Sequence, residues 1–203
     1  MPYLMPDAVA RGTLAARTQP VLTAEPTSTD GPAAAGPVLR LRPWLAADVP
    51  VLVTAYTDPD IQRWHRRSMD EAEALAWVEH RETEWQNEDR GEWAITDAGD
   101  TVLGRITLRD IHLDEGRAEV GYWVLPAARG QAVASRAVQA LTGWAFDEVG
   151  LQRLDLMHSL HNPASCRVAT RTGFVLEGVL RACDRHADGW HDVHLHGRVR
   201  AAR

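Results

Sequence analysis

Long apolar runs are missing from this sequence, so nothing approaches the roughly 20 residues a membrane-spanning helix needs. Cysteine is nearly absent as well. The only two among 203 residues, Cys166 and Cys183, form neither a zinc-type spacing nor a disulfide framework, which points to a reducing, cytoplasmic setting. There is no basic excess: the formal charge is -6 at pH 7, whereas a nucleic-acid binder needs a basic face to neutralise phosphates. Neither the Gly-Lys-Ser/Thr of a nucleotide P-loop nor a GxGxxG dinucleotide fingerprint occurs. What remains is an acidic chain suited to cationic partners such as amines, without nucleic acid or membrane.

Residues 1–37 are a different material from the rest. "TQPVLTAEPTSTDGPAAAGP" is rich in Ala, Pro, Thr and Gly and has no hydrophobic period, so a disordered tail is expected there. It lacks the charged start and apolar core of a secretory signal. From Val38 to residue 203 the patterning is that of one domain. "VLRLRPW" alternates like a strand, and "LAADVPVLVTAYTD" reads as a short helix. Ser68 and Glu71 have the spacing of a capping box ahead of a longer helix. "GEWAITD" and "TVLGRITLRDIHL" flank the turn "AGD" as a hairpin, and "RAEVGYWVLP" is a further strand. Val133, Ala137, Leu141, Trp144 and Ala145 recur on one helical face. "LQRLDLMH" is a strand, Asn162 caps a helix that begins at Pro163, and Gly173 ends it. Two strands close the chain. The order β-α-α-β-β-β-α-β-α-β-β is a mixed α/β fold.

"LPAARGQAVASRAV" runs a strand end into a helix start, where the first amides lack intrahelical partners and the dipole favours an anion. Arg129 adds a forked cationic donor. Ala132 stands where such cradles often use glycine. In a first helical turn φ is negative, and alanine is then better than glycine by up to about 1 kcal/mol.

Three segments together resemble the GNAT superfamily of acyl-CoA-dependent N-acyltransferases. They are "YWVLPAARGQAVASRAV", "GLQRLDLMHSLHNPASCRVATRTGFVLEGVLR" and "LRLRPWLAADVPVLVTAYTDPDI". In detail the likeness is to the RimJ/RimL subgroup, the ribosomal-protein N-terminal acetyltransferases. The resemblance implies a mostly antiparallel central sheet flanked by helices, with a splayed strand pair forming the acyl-CoA cleft. Acetyl-CoA is the implied cosubstrate and an amine the acceptor. Pantetheine would run along Trp123, Val124 and Leu125, with pyrophosphate on Arg129, Gly130, Gln131, Ala132, Val133 and Ala134. Asn162 matches a residue that contacts the pantetheine arm, and Ser165 a hydroxyl near the sulfur. The family includes monomers and homodimers.

Amide formation from a thioester needs a neutral amine, a donor for the oxyanion and a proton for the thiolate. Ser165 is the candidate for the last role. Asp184, where the subgroup carries a catalytic acid, and Glu119 on the central strand compete as the base. Trp64, His65 and Trp190 are the acceptor-side candidates. His158 and His161 bracket the entry to the Asn162 helix and are further candidates for proton removal. His194 and His196 alternate onto one strand face and are read as solvent-facing polar residues, so no metal is expected. The competing reading is a catalytically inactive acyl-CoA-binding or regulatory module.

Overall fold

In a computed structural model, residues 5–26 and 37–201 are described. One sheet of eight strands organises them: β1 (Leu22–Ala24), β2 (Leu39–Pro43), β3 (Arg90–Thr96), β4 (Val102–His112), β5 (Arg117–Val124), β6 (Arg153–Ser159), β7 (Val175–His186) and β8 (Gly189–Val199). The order across the sheet is β1-β2-β3-β4-β5-β6-β8-β7. Every neighbouring pair is antiparallel except β5 and β6. This is the mixed, mostly antiparallel α/β architecture expected. No helix among the described residues is long and apolar enough to cross a membrane.

Both sheet faces are covered, so residues on both faces of the central strands β3, β4 and β5 are mostly buried. On one face lie α1 (Val49–Ala55), α2 (Pro59–His65) and α3 (Glu71–Gln86). Leu52, Ile61, Ala74 and Trp77 from these helices bury against Trp123 and Ala94 of the sheet. This layer holds an internal ion pair: Glu92, 1% exposed, accepts from Arg105 Nε at 2.6 Å. Burial alone would raise the Glu92 carboxyl; Arg105, Arg90 and Arg81 outweigh it and hold the group below the usual carboxylate range. On the opposite face lie α4 (Val133–Trp144) and α5 (Pro163–Arg171), packed over Ile106, Leu108, Val120, Leu154 and Leu156.

Three expectations change. The long helix is capped two residues later than Ser68. Asp70 accepts from the Glu73 N–H at 2.8 Å and Glu73 accepts from the Asp70 N–H at 2.9 Å, while Met69 is buried beside Ala74. Aspartate caps as well as serine, and this register also places an apolar staple. A further helix, α2, stands between the two helices read from the sequence, and Trp64 lies on it.

The third correction concerns the tail. Residues 1–4 and 27–36 lie outside the described residues, but 5–26 are ordered against the sheet. Val9 and Leu14 join the main core, and β1 extends the sheet beside β2. Trp85 and Trp93 donate their indole N–H groups to the carbonyls of Arg17 and Pro20 at 2.7 and 2.8 Å. Glu88 accepts from the N–H groups of Gly12 and Leu14, both at 2.6 Å. A few apolar residues suffice here because the segment supplies acceptors that the buried indoles need.

Candidate active site

The site follows from where β5 and β6 stop pairing. Their parallel register covers only Arg117↔Arg153, Ala118↔Leu154 and Glu119↔Asp155, although both strands run on. Beyond Glu119 they diverge and leave a cleft of about 530 Å³. Leu125 donates its N–H to the Leu103 carbonyl of the β4 side at 2.9 Å. By strand alternation, the N–H and C=O of Val124 and Tyr122 then face the other way, into the cleft. Arg129 Nε reaching the Val124 carbonyl at 3.2 Å agrees with that direction.

β5 leads through a short turn into α4, whose first amides border the same cleft. No side chain caps this helix, and the first intrahelical bond runs from Arg136 N–H to the Ala132 carbonyl at 3.0 Å. The N–H groups of Val133, Ala134 and Ser135 therefore have no intrahelical acceptor. Ala132 is not inside the helical turn, as expected from its sequence position, but at its N-cap. Its φ is +57°, in the left-handed region, two residues after Gly130 with φ +79°. The turn needs two reversals of φ to aim successive amides into the cleft, so the position has a glycine's geometry with alanine's side chain.

On the other wall, Asn162 Oδ1 accepts from the Ser165 N–H at 3.2 Å and caps α5 as expected. Ser165 lines the cleft opposite Tyr122. Their hydroxyls are neighbours without being aligned as a donor–acceptor pair. Burial pushes the Tyr122 hydroxyl up to about 12, slightly offset by Ser165. α2 covers one end of the cleft with Ile61, Trp64 and His65. His65 is pushed down to about 3, chiefly by burial and then by the nearby Arg105 and Arg109 cations, so its imidazole is neutral.

Of the sequence candidates, Trp64, His65, Trp123, Val124, Arg129, Gly130, Ala132, Val133, Ala134, Asn162 and Ser165 line this one cleft. Leu125, Gln131, Glu119, Asp184 and Trp190 are not among its lining residues. Gln131 turns its amide back to the Ala127 carbonyl at 3.0 Å. Glu119 sits at the closed end of the splay, ion-paired with Arg109. Burial raises its carboxyl and Arg109 only partly offsets this. Asp184 is half-exposed and pairs with Arg66, the residue after α2, at 3.2 Å and with His186 Nε2 at 3.2 Å. Trp190 is 64% exposed. Arg129 is held by Asp60 at 2.7 Å and Asp58 at 3.2 Å, which fastens α2 to the cradle.

The histidines also differ from expectation. His194 is half-buried and His196 is 1% exposed, so neither faces solvent. His158 stacks with His196, while His161 lies on the other side of the sheet against His191. Residues that sequence reading missed include Tyr122, Asp60, Arg167 and Arg171, all lining the cleft. The i, i+4 spacing of the two arginines on α5 was the available signal.

A sheet that opens between a parallel strand pair, with a helix amide cradle at the end of one strand, defines an acyl-CoA-type transferase fold. The chain matches the family model described as "Acetyltransferase (GNAT) domain" over residues 39–175 and belongs to that family. It is 35% identical over 100 residues to the ribosomal-protein-serine acetyltransferase of Escherichia coli (strain K12), covering 49% of this chain and 56% of that protein. It is 26% identical over 147 residues to the uncharacterized N-acetyltransferase YoaA of Bacillus subtilis (strain 168), covering 70% of this chain and 82% of that one. Among solved structures, RimL, a ribosomal L7/L12 alpha-N-protein acetyltransferase in complex with coenzyme A, superposes with a TM-score of 0.76 at 22% identity. That match covers 89% of this chain and 99% of RimL. Mycobacterium smegmatis RimJ gives a TM-score of 0.77 at 20% identity, over 89% of this chain and 88% of RimJ. The first curated relatives are matched over about half of their own length, 56% and 44%.

Proposed function

We propose that the chain is an acyl-CoA-dependent N-acyltransferase that moves an acetyl group from acetyl-CoA to a primary amine by direct attack in a ternary complex. The observation that carries this reading is the unpaired edge of β5 running into the amide cradle of α4 along one cleft. Pantetheine pairs with the main chain of Tyr122 and Val124 as an added strand would. The pyrophosphate takes the amides from Ala132 to Ser135, and Arg167 and Arg171 add positive charge on the facing wall. No metal enters this chemistry.

An N–H on the cleft side of β5, that of Val124 or Tyr122, receives the oxyanion as the amine attacks the thioester carbon. When the carbon–sulfur bond breaks, the thiolate takes the proton that the attacking nitrogen sheds, relayed by the Ser165 hydroxyl, which gains one proton as it gives one, with the Tyr122 hydroxyl behind it. His65 is too weak a base for an ammonium group and serves to shape the acceptor end with Trp64. Asp184, ion-paired with Arg66 just past the end of α2, is the base that takes the ammonium proton at the acceptor side; Glu119 pairs with Arg109. The acceptor is a protein N-terminus or a small amine. The relatives' names put a serine-initiated peptide first in the screen. A cytoplasmic setting belongs to this reading and fits the two free thiols.

The test is a thermal-shift titration with CoA, acetyl-CoA and longer acyl-CoAs, followed by thiol release with peptide and amine panels. Ligand at one hundred times its dissociation constant stabilises by about 2.7 kcal/mol. Saturable binding with release of CoA on addition of an amine is the expected result. Saturable binding with no release to any acceptor would select the inactive-module reading, and no binding would sink both.

A further inference from the structure

β6 and β8 run antiparallel with His158 opposite His194 and Leu156 opposite His196. Alternation therefore sets three imidazoles on one sheet face, the face that α5 crosses. Cys166 projects from the first turn of α5 onto the same spot. One donor atom from each of His158, Cys166, His194 and His196 lies within 4.8 Å of all the others. His158 and His196 are 8% and 1% exposed, so the group sits beneath the helix rather than at the surface.

The spacing is that of ligands rather than of casually packed rings. Two nitrogens each about 2.0–2.1 Å from a tetrahedral ion stand about 3.3 Å apart, and their ring centroids about 5 Å apart. Nε2 of His158 and Nε2 of His196 are 3.2 Å apart. The three ring-centroid separations are 5.1, 5.2 and 5.7 Å.

Proton bookkeeping points the same way. His158 Nδ1 donates to the Ser159 carbonyl at 2.8 Å, so its Nε2 presents a lone pair to the cluster. With no ion, His196 must donate from Nε2, which leaves its Nδ1 a bare acceptor. His196 lies beside the main chain of Phe174, and its Nδ1 and His194 Nδ1 are both buried without a hydrogen-bond partner among the described residues. With a cation on the two Nε2 atoms, His196 Nδ1 keeps its proton and can donate to the Phe174 carbonyl. Main-chain carbonyls behind two imidazoles are the outer support that histidine ligands ordinarily have.

We propose that His158, Cys166, His194 and His196 form a closed tetrahedral Zn²⁺ site that pins the first turn of α5 to β6 and β8. Three imidazoles and one thiolate suit a borderline-soft ion and exclude Mg²⁺ and Ca²⁺, which take oxygen ligands. Binding forms three Zn–N bonds and one Zn–S bond, and the Cys166 proton leaves to solvent. Ser165 and Asn162 share this turn, so the ion fixes the α5 wall of the cleft. The inference does not depend on the acyltransferase reading.

The full chain, stripped with a chelator and checked for its fold by circular dichroism, is titrated with Zn²⁺ against a chromophoric competitor, and in parallel with Co²⁺. We expect one tight equivalent of Zn²⁺ per chain. The Co²⁺ form should show intense tetrahedral d–d bands and a thiolate charge-transfer band. Cys166→Ser should abolish the charge-transfer band and weaken Zn²⁺ at least about 100-fold, and His194→Gln at least about tenfold. His191→Gln, on the opposite sheet face, should leave both unchanged. A wild-type Co²⁺ spectrum that is pale and octahedral, the absence of stoichiometric Zn²⁺, or binding lost in His191→Gln but kept in Cys166→Ser would each overturn the proposal. The wild-type spectra stand even if a variant fails to fold.

Discussion

The two walls of the cleft are built on different principles. The β5–α4 wall offers main chain: cleft-facing N–H and C=O groups of Tyr122 and Val124, then the uncapped amides of Val133 to Ser135. The β6–α5 wall offers side chains: Asn162, Ser165, Arg167 and Arg171. A main-chain surface survives substitution as long as φ and ψ survive, which is how Ala132 can occupy a left-handed position without removing a single donor. A side-chain surface loses its chemistry with one atom. Substitutions should therefore reduce turnover on the α5 wall and shift affinity or stability on the α4 wall.

The sharpest break comes at Ser165. Its N–H is already committed to the Asn162 cap, so removing the hydroxyl leaves the helix start intact. Ser165→Ala is expected to lower kcat by about 100-fold, the low end of proton-transfer catalysis, with CoA affinity changed less than about threefold. Steady-state kinetics beside a CoA titration reads both. A loss of affinity with kcat unchanged would move Ser165 from chemistry to binding.

Next in size is Asn162→Ala, which removes the acceptor for the Ser165 N–H at 3.2 Å. Loss of such a cap costs about 1 kcal/mol of stability, readable by urea unfolding. CoA affinity should fall with it, since this wall must be rebuilt on binding. Equal stability of variant and wild type would mean that the helix start is held by something other than its cap.

A smaller effect of opposite sign is expected on the other wall. Alanine with φ +57° carries a steric cost that glycine avoids, so Ala132→Gly should stabilise by about 0.5–1 kcal/mol. For a chain of this size 1 kcal/mol moves Tm by about 2–4 °C. CoA affinity should hold or improve. The companion Gly130→Ala, at φ +79°, should destabilise by a similar amount. If both variants lower affinity together, the alanine methyl contributes a contact and the wall is not purely main chain.

The same contrast explains what could be read from sequence. Asn162 and Gly173 were legible because each does a job tied to residue type, as cap and helix stop. The amphipathic stripe of α4 and the hairpin at "AGD" were legible by period and turn chemistry. The conformation of Ala132 was not, because an amide cradle has no side-chain signature. Residues 5–26 were misread because composition counts apolar residues but does not see the indole N–H groups of Trp85 and Trp93 waiting for carbonyl partners. The histidine cluster was misread because strand alternation groups His194 with His196, while His158 and Cys166 arrive from elsewhere in the chain. Pairing of β6 with β8 brings in His158, and α5 crossing that face brings in Cys166.

His65 gives the finest discrimination, because the expected effect on the pH profile of turnover is none. It lies on α2 at the main-chain wall, interacting with the backbone of Tyr122, and its imidazole is pushed down from 6.5 to about 3. The folded state therefore refuses a proton that the unfolded chain accepts near 6.5. Its linked stability is complete above about pH 6.5 and is lost progressively as pH falls from there toward 3. His65→Gln removes that linkage, so the variant should gain on wild type in urea unfolding as pH drops from about 7 to 4. Between about pH 6 and 8 the imidazole does not titrate, and the pH profile of kcat should keep its shape in the variant. A limb near neutrality that vanishes in His65→Gln would make this histidine the base in place of Asp184.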